Sequence, residues 1–302
     1  MMLKMTHGPQ KIYSNNGNLP LSTAAMKLNE LNKITSELST TEQMPVLFLG
    51  HGSPMNAIEE NEFVKGFRTV GTTIPKPNAI LCISAHWETK GTFVTAMDKP
   101  QTIHDFGGFP KALFDVQYPA PGSPELARET KADIKKTDVG LDYTWGLDHG
   151  AWSVIKHLYP QADVPVIQLS LDHEQGAQYH YDLAKELSAL RHKGVLIIGS
   201  GNMVHNLRMI AWDKLNADGY GYDWAIEASE KMKKYILSGD HKELINYRSQ
   251  GRAFDLAIPT PEHYLPLLYT LALKGDNEKI SLFNDKPLAG SLSMTSLRID
   301  KA

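Results

Sequence analysis

The sequence predicts a single α/β domain in which a mostly parallel central sheet is flanked by helices and the active site lies at the carboxyl ends of the strands. Three observations carry this expectation. Residues 45–49, 79–84, 164–169 and 195–199 are short runs nearly continuous in Val, Ile and Leu, as expected of parallel strands buried on both faces. Longer amphipathic stretches with helix start and stop signals separate them, the alternation of a wound α/β fold. The chain shows neither an internal repeat nor a linker that would divide two cores.

Taken in order, residues 1–20 are polar, rich in Gly, Asn and Pro, and without periodicity, which reads as a flexible leader. Residues 22–38 carry Leu28, Leu31, Ile34 and Leu38 at helical spacing behind Ser22 and Thr23, so a short amphipathic helix is expected there. Residues 1–43 are therefore expected to form a partly flexible N-terminal arm, and residues 44–302 the main domain. Within the domain, helices are expected at 123–136, where Ser123 caps and Pro124 fills the first turn, at 177–193 ending before Gly194, at 223–237 and at 261–273.

Composition narrows the function classes. The 302 residues are 42% hydrophobic and 22% charged, with 31 basic against 34 acidic side chains and a net charge of -3, the balance of an ordinary globular protein. No basic stripe is available to neutralise a phosphate backbone, so nucleic acid is not an expected partner. No apolar run reaches the roughly 18 residues a membrane span needs. The N-terminus lacks the basic-then-apolar layout of a secretory signal, and the single cysteine, Cys82, cannot form an internal disulfide. A cytoplasmic location, as monomer or homo-dimer, is the expectation. Cys82 lies inside a strand, where it acts as a small inert hydrophobe.

The 12 histidines are the anomaly. The first strand runs into Gly50-His51-Gly52-Ser53-Pro54, the second into Ala85-His86-Trp87, and the fourth into Ser200-Gly201-Asn202-Met203-Val204-His205. In open α/β sheets ligands bind beyond the carboxyl ends of the strands, so three histidines delivered there can meet in space although far apart in sequence. Imidazole suits Zn, Fe, Cu and Ni. A fourth segment, Pro259-Thr260-Pro261-Glu262-His263-Tyr264, offers His263 or Glu262 at the opening of a helix to complete a metal site. Any one such histidine is more often a solvated loop residue; the coincidence of several is what points to a metal. A phosphate-binding turn at Gly199-Ser200-Gly201 is disfavoured, because the third glycine and later acid of a dinucleotide site are missing.

Two further turns mix polar and aromatic groups: Trp145-Gly146-Leu147-Asp148-His149-Gly150-Ala151-Trp152 and His104-Asp105-Phe106-Gly107-Gly108-Phe109. Aromatic walls with a few polar groups suit a flat organic ligand. His7, His173, His180, His192 and His241 are expected at the surface, and His157 in a helix without a special role.

These motifs together resemble a known family. Leu49-Gly50-His51-Gly52-Ser53-Pro54, Ser84-Ala85-His86-Trp87, Ile103-His104-Asp105-Phe106-Gly107-Gly108-Phe109, Tyr118-Pro119-Ala120-Pro121-Gly122, Gly146-Leu147-Asp148-His149-Gly150, Val204-His205-Asn206-Leu207 and Pro261-Glu262-His263-Tyr264-Leu265-Pro266-Leu267 occur in the order seen in the 4,5-DOPA extradiol dioxygenases. That group belongs to the class III extradiol ring-cleavage dioxygenases and is related to the catalytic subunit of protocatechuate 4,5-dioxygenase. The match covers roughly residues 44–298.

The resemblance implies an Fe(II) site, which Zn(II) can also occupy, that takes a DOPA-like catechol and O2 as small-molecule partners. It implies His51, His86 and His263 as metal ligands, with His205 as an additional ligand or an acid/base group, and it leaves Glu262 as the alternative to His263. It further implies a catalytic His149 outside the ligand set, and Ser53, His104 and Trp152 as substrate contacts. A zinc hydrolase on a similar core, in which the metal activates water, and a metal-sequestering protein without catalysis are the other readings of the same histidines. Oxygen uptake with a catechol separates the first reading from both.

Overall fold

The computed structural model describes residues 43–215 and 217–302, so residues 1–42 of the expected N-terminal arm, with the helix expected at 22–38, lie outside it. The main sheet has six strands: β1 (Val46–Gly50), β2 (Ala79–Ser84), β3 (Val166–Gln168), β4 (Val195–Gly201), β5 (Glu278–Phe283) and β6 (Ser296–Lys301). Their order across the sheet is β3-β2-β4-β1-β6-β5. The first four pair in parallel, Ile80 with Val166, Ile80 with Leu196 and Val46 with Ile197 among them, whereas β6 runs antiparallel to both β1 and β5. The sheet is thus mixed, parallel where expected and antiparallel along one side.

The four expected strands are present because their apolar residues are needed on both faces. Alternate positions of β1 and β4 enter two separate cores: Val46, Phe48, Val195 and Ile197 in one, Leu47, Leu49, Leu196 and Ile198 in the other. Helices cover both faces. Helix α1 (Glu62–Thr73) and α3 (His149–Leu158) close the second core with Phe67, Trp152 and Ile155. Helix α2 (Pro124–Asp133), α4 (Ala177–Lys185), α5 (Asp223–Ser238) and α6 (Leu265–Ala272) close the first with Ala127, Leu183, Met232 and Leu268. Ser123 caps α2 as expected, its Oγ accepting from Leu126 N at 3.2 Å.

Several expectations are corrected. The stretch expected as one helix at 177–193 is α4 followed by a 3-10 turn, Ser188–Lys193, closed by Gly194 at φ +78°. This places Arg191 inside, where its guanidinium binds Met44 O, Leu273 O and the Glu278 carboxylate in a buried ion pair. The helix expected from residue 261 begins at Leu265, since Tyr264 N and Leu265 N both donate to Pro261 O at 2.9 Å in a turn; Glu262 and His263 therefore precede the helix rather than open it. His180 is not a surface residue. It is fully buried between α4 and α6, with its Nδ1 3.0 Å from Tyr269 Oη. No helix among the described residues is long and apolar enough to cross a membrane.

Candidate metal centre and active site

Strands β2, β4 and β1 are immediate neighbours, so the loops leaving their carboxyl ends start side by side. The ladder persists up to the histidines: His51 N donates to Gly201 O at 3.1 Å and Ala85 N to Ser200 O at 3.0 Å. The fourth segment arrives beside β4, where Asn202 N donates to His263 O at 2.8 Å. That approach requires a glycine, because a Cβ at Gly201 would lie 2.1 Å from His263 O. The fifth contributor is α3, whose N-cap Asp148 accepts from Ala151 N at 3.0 Å and presents His149 as the first helical residue. Asp148 is itself buried and also takes Ser84 Oγ at 2.6 Å, which ties α3 to the end of β2.

Five histidines consequently share one space. The rings of His51, His86 and His263 form a nearly equilateral triangle, with centroids 5.0, 5.3 and 4.9 Å apart. His149 lies against His86 at 3.9 Å, and His205 stacks on His263 at 3.5 Å with planes 7° apart. One nitrogen of each of His51, His86 and His149 lies within 4.8 Å of the others, and the same holds for donor atoms of His205, Glu262 and His263. The structure therefore brings together His51, His86, His149, His205 and His263, including the pair His51 and His86, 35 positions apart, whose Nε2 atoms are 3.2 Å apart.

The hydrogen bonds around these rings decide which nitrogen faces inward. Ser200 Oγ donates its one proton to Gly150 O at 2.5 Å, so it must accept from His51 Nδ1 at 3.1 Å, which leaves Nε2 of His51 with a free lone pair. Asp105 Oδ2 accepts from His149 Nδ1 at 2.9 Å and lies 3.6 Å from His86 Nδ1. Glu262 Oε1 faces His263 Nδ1 at 3.1 Å and is held by Thr260 Oγ1 at 2.8 Å. Oxygen acceptors behind imidazoles are the usual means of fixing the ligating tautomer at a metal centre.

Electrostatics agree. Burial, and then the neighbouring His86, holds His51 well below the ordinary histidine pKa; burial, and then His149, pushes His86 down to about 3. Burial likewise pushes His205 to about 4 and, with His205 beside it, keeps His263 well below the ordinary value. Burial acts to raise the Asp105 carboxyl, but the hydrogen bonds from His149 outweigh it and hold it below its usual range. Neutral imidazoles backed by carboxylates are a donor set for a cation. The Nε2 atoms of His51 and His86, 3.2 Å apart, are close enough to hold one ion between them.

The side chains expected as substrate contacts each make a hydrogen bond within the fold. Ser53 Oγ caps the 3-10 turn Pro54–Ala57, accepting from Met55 N at 3.2 Å. His104 Nε2 donates to Val116 O at 3.0 Å, and Trp152 is fully buried with Nε1 donating to Ile103 O at 2.8 Å. The rings of His104 and Trp152 also lie beside that of Phe106, at 5.7 and 6.3 Å. The aromatic ring adjoining the histidines is Phe106, edge-on to His149 at 5.5 Å and 81°. Sequence reasoning also passed over Asp105 and Ser200. Asp105 was visible inside a polar and aromatic turn, whereas nothing in the chain marks Ser200 beyond its place at a strand end.

Comparison with known proteins follows the same direction. Residues 45–287 match the family described as the catalytic LigB subunit of aromatic ring-opening dioxygenase. The chain is 45% identical over 266 residues to the 4,5-DOPA dioxygenase extradiol of Escherichia coli K12, covering 87% of this chain and 97% of that protein. It is 37% identical over 258 residues to the 4,5-DOPA dioxygenase extradiol of Beta vulgaris, covering 83% and 94%. The crystal structure of an uncharacterized protein from Escherichia coli K12 superposes with a TM-score of 0.74 at 41% identity, over 85% of this chain and all of that one. The hydrolase and sequestration readings are thereby set aside. The chain belongs to the family of catalytic LigB subunits of aromatic ring-opening dioxygenases, and it is an extradiol ring-cleavage dioxygenase.

Proposed function

We propose that this dioxygenase is Fe(II)-dependent and cleaves a DOPA-like catechol at the 4,5 bond, converting L-DOPA to a seco-DOPA semialdehyde. The observation that carries the metal assignment is the triangle of His51, His86 and His263, three neutral rings with centroids 4.9–5.3 Å apart, each with its Nδ1 facing a hydroxyl or carboxylate oxygen, within a cluster in which ligand atoms of His51, His86 and His149 also lie within 4.8 Å of one another. The DOPA assignment rests on the names of the relatives from Escherichia coli and Beta vulgaris. A metal in this donor set keeps coordination positions open, and Fe(II) there would bring both catechol oxygens and O2 together and mediate the transfer of electrons between them.

The chain's own residues do the rest. His51, His86 and His263 hold the cation, and Glu262 serves as the acceptor that orients His263. His205, stacked on His263, is placed as a further ligand or as an acid/base group on that flank. His149 has its Nδ1 committed to Asp105, so its Nε2 is free to take a proton from a catechol hydroxyl and return it to the product. Phe106 offers an aromatic edge beside that proton acceptor. The test is anaerobic reconstitution with Fe(II) followed by L-DOPA in air. Stoichiometric oxygen uptake with a yellow ring-fission product is expected, and a zinc-loaded sample should bind the catechol without cleaving it. Absence of oxygen uptake with every catechol tried would overturn the reading.

A further inference from the structure

We propose that Asp105 is the positioning residue of this site, one carboxylate that sets the orientation of a metal-holding histidine and of the proton-handling histidine together. The inference rests on the roles of His86 and His149 given above.

Both N–H groups that His149 turns toward it bond its two oxygens, and the ring of His86 lies close by. Oδ1 accepts from the backbone N of His149 at 2.8 Å, and Oδ2 accepts from the ring Nδ1 of His149 at 2.9 Å while lying 3.6 Å from Nδ1 of His86. Only an acceptor-only group fits this place. An ionised carboxylate accepts on both oxygens, whereas an amide would turn its NH2 donor toward one of the two His149 N–H groups. The backbone contact has its own logic. His149 is the first residue of a ten-residue helix, so its N–H has no partner within α3, and a negative charge at a helix N-terminus is favoured. The N-cap Asp148 serves Ala151 N instead, so the two acids divide the helix end between them.

The consequence is geometric. With Nδ1 of His149 pinned, its ring cannot flip or change tautomer, and Nε2 stays aimed at the substrate. With the same oxygen beside Nδ1 of His86, the Nε2 of that ring stays 3.2 Å from Nε2 of His51. Asp105 also sits next in sequence to Phe106, so the contact registers the aromatic edge against His149. The side chain is 16% exposed, so these bonds are partly shielded from water.

The experiment uses the full-length protein in three single variants, Asp105→Asn, Asp105→Glu and His149→Gln, and in the double variant Asp105→Asn with His149→Gln. In zinc-loaded protein, nitrogen NMR of the ring should show His149 as one Nδ1–H tautomer in the parent and a mixture in Asp105→Asn. Metal affinity, measured by chelator competition, should fall about 10–100-fold in Asp105→Asn, the usual cost of losing a partner behind a ligand, and recover in part in Asp105→Glu. Turnover by the enzyme at saturating iron and catechol should fall in Asp105→Asn with little change in KM, and with the metal site thus kept filled the double variant should be no slower than His149→Gln alone. An unchanged tautomer with unchanged metal affinity overturns the inference, and so do losses of turnover that multiply in the double variant. Full turnover in His149→Gln would instead remove the proton-handling role of His149, leaving the tautomer and affinity results to decide Asp105.

Discussion

Replacing His51 or His86 with alanine should abolish stoichiometric metal binding while circular dichroism stays unchanged, because both rings project from loops just beyond the strand ends rather than from the middle of either core. Full metal occupancy in either variant would remove that residue from the ligand set. The adjacent pair Glu262 and His263 gives a sharper contrast. His263→Ala should weaken metal binding far more than Glu262→Gln, since the imidazole completes the triangle while the carboxylate stands behind its Nδ1; competition with a chromophoric chelator ranks them. For the chemistry, His149→Gln should keep iron and catechol binding and lose roughly 10²–10⁴ in turnover, the share of general acid–base catalysis. His205→Gln, at the flank of the ligand set, should lose activity and metal together. Near-normal turnover in His149→Gln would assign the proton transfer to His205 or to water.

At the level of elements, the site depends on how closely backbones approach at the end of β4. Gly201 has room for no side chain, because the atom its Cβ would strike is the carbonyl of His263 rather than a movable side chain. Gly201→Ala should therefore destabilise the protein by about 1–3 kcal/mol, as overpacking does, and should lower metal affinity by displacing His263. Urea unfolding and chelator titration measure the two effects, and a stability loss without a change in metal affinity would show that the loop adjusts without moving the ligand. The elements legible in the sequence were those whose own residues specify them. Strand β2 is apolar at nearly every position, and α2 carries its Ser123 cap and Pro124 in order. Strands β5 and β6 were not among the expected strands, because EKISLF and SLRIDK lack the continuous apolar run of the parallel strands and instead alternate polar and apolar residues, the pattern of half-buried antiparallel strands.

For the whole molecule, burial of histidines makes stability depend on pH in a direction that can be worked out. His180 is pushed down to about 4 by burial, and His86 and His205 to about 3 and about 4. Between these values and the unfolded value of about 6.5 the unfolded chain binds protons that the native state refuses, so stability falls as pH falls through that window. Each such histidine removes about 1.4 kcal/mol per pH unit there. Asp148, whose carboxyl is raised by burial, acts in the opposite sense and is outnumbered. Urea titrations of metal-free protein at pH 7, 6 and 5 should show a steady decline, whereas constant stability across that range would mean these rings protonate freely in the native state.

The sequence by itself determined the α/β class, the four parallel strands and the set of histidines, because those depend on local hydrophobic periodicity and on residues that end strands. It also carried the family, through seven motifs in order. Tertiary structure alone decided which imidazole nitrogen faces inward and what holds it there. Ser200 reaches His51 from 149 positions away and Asp105 reaches His149 from 44. A hydroxyl or carboxylate gives no sign of its partner until the sheet order β2-β4-β1 sets the strand ends side by side. The same holds for His180 and Arg191, polar in sequence yet buried in the fold, because Tyr269 and Glu278 are brought to them by elements far along the chain.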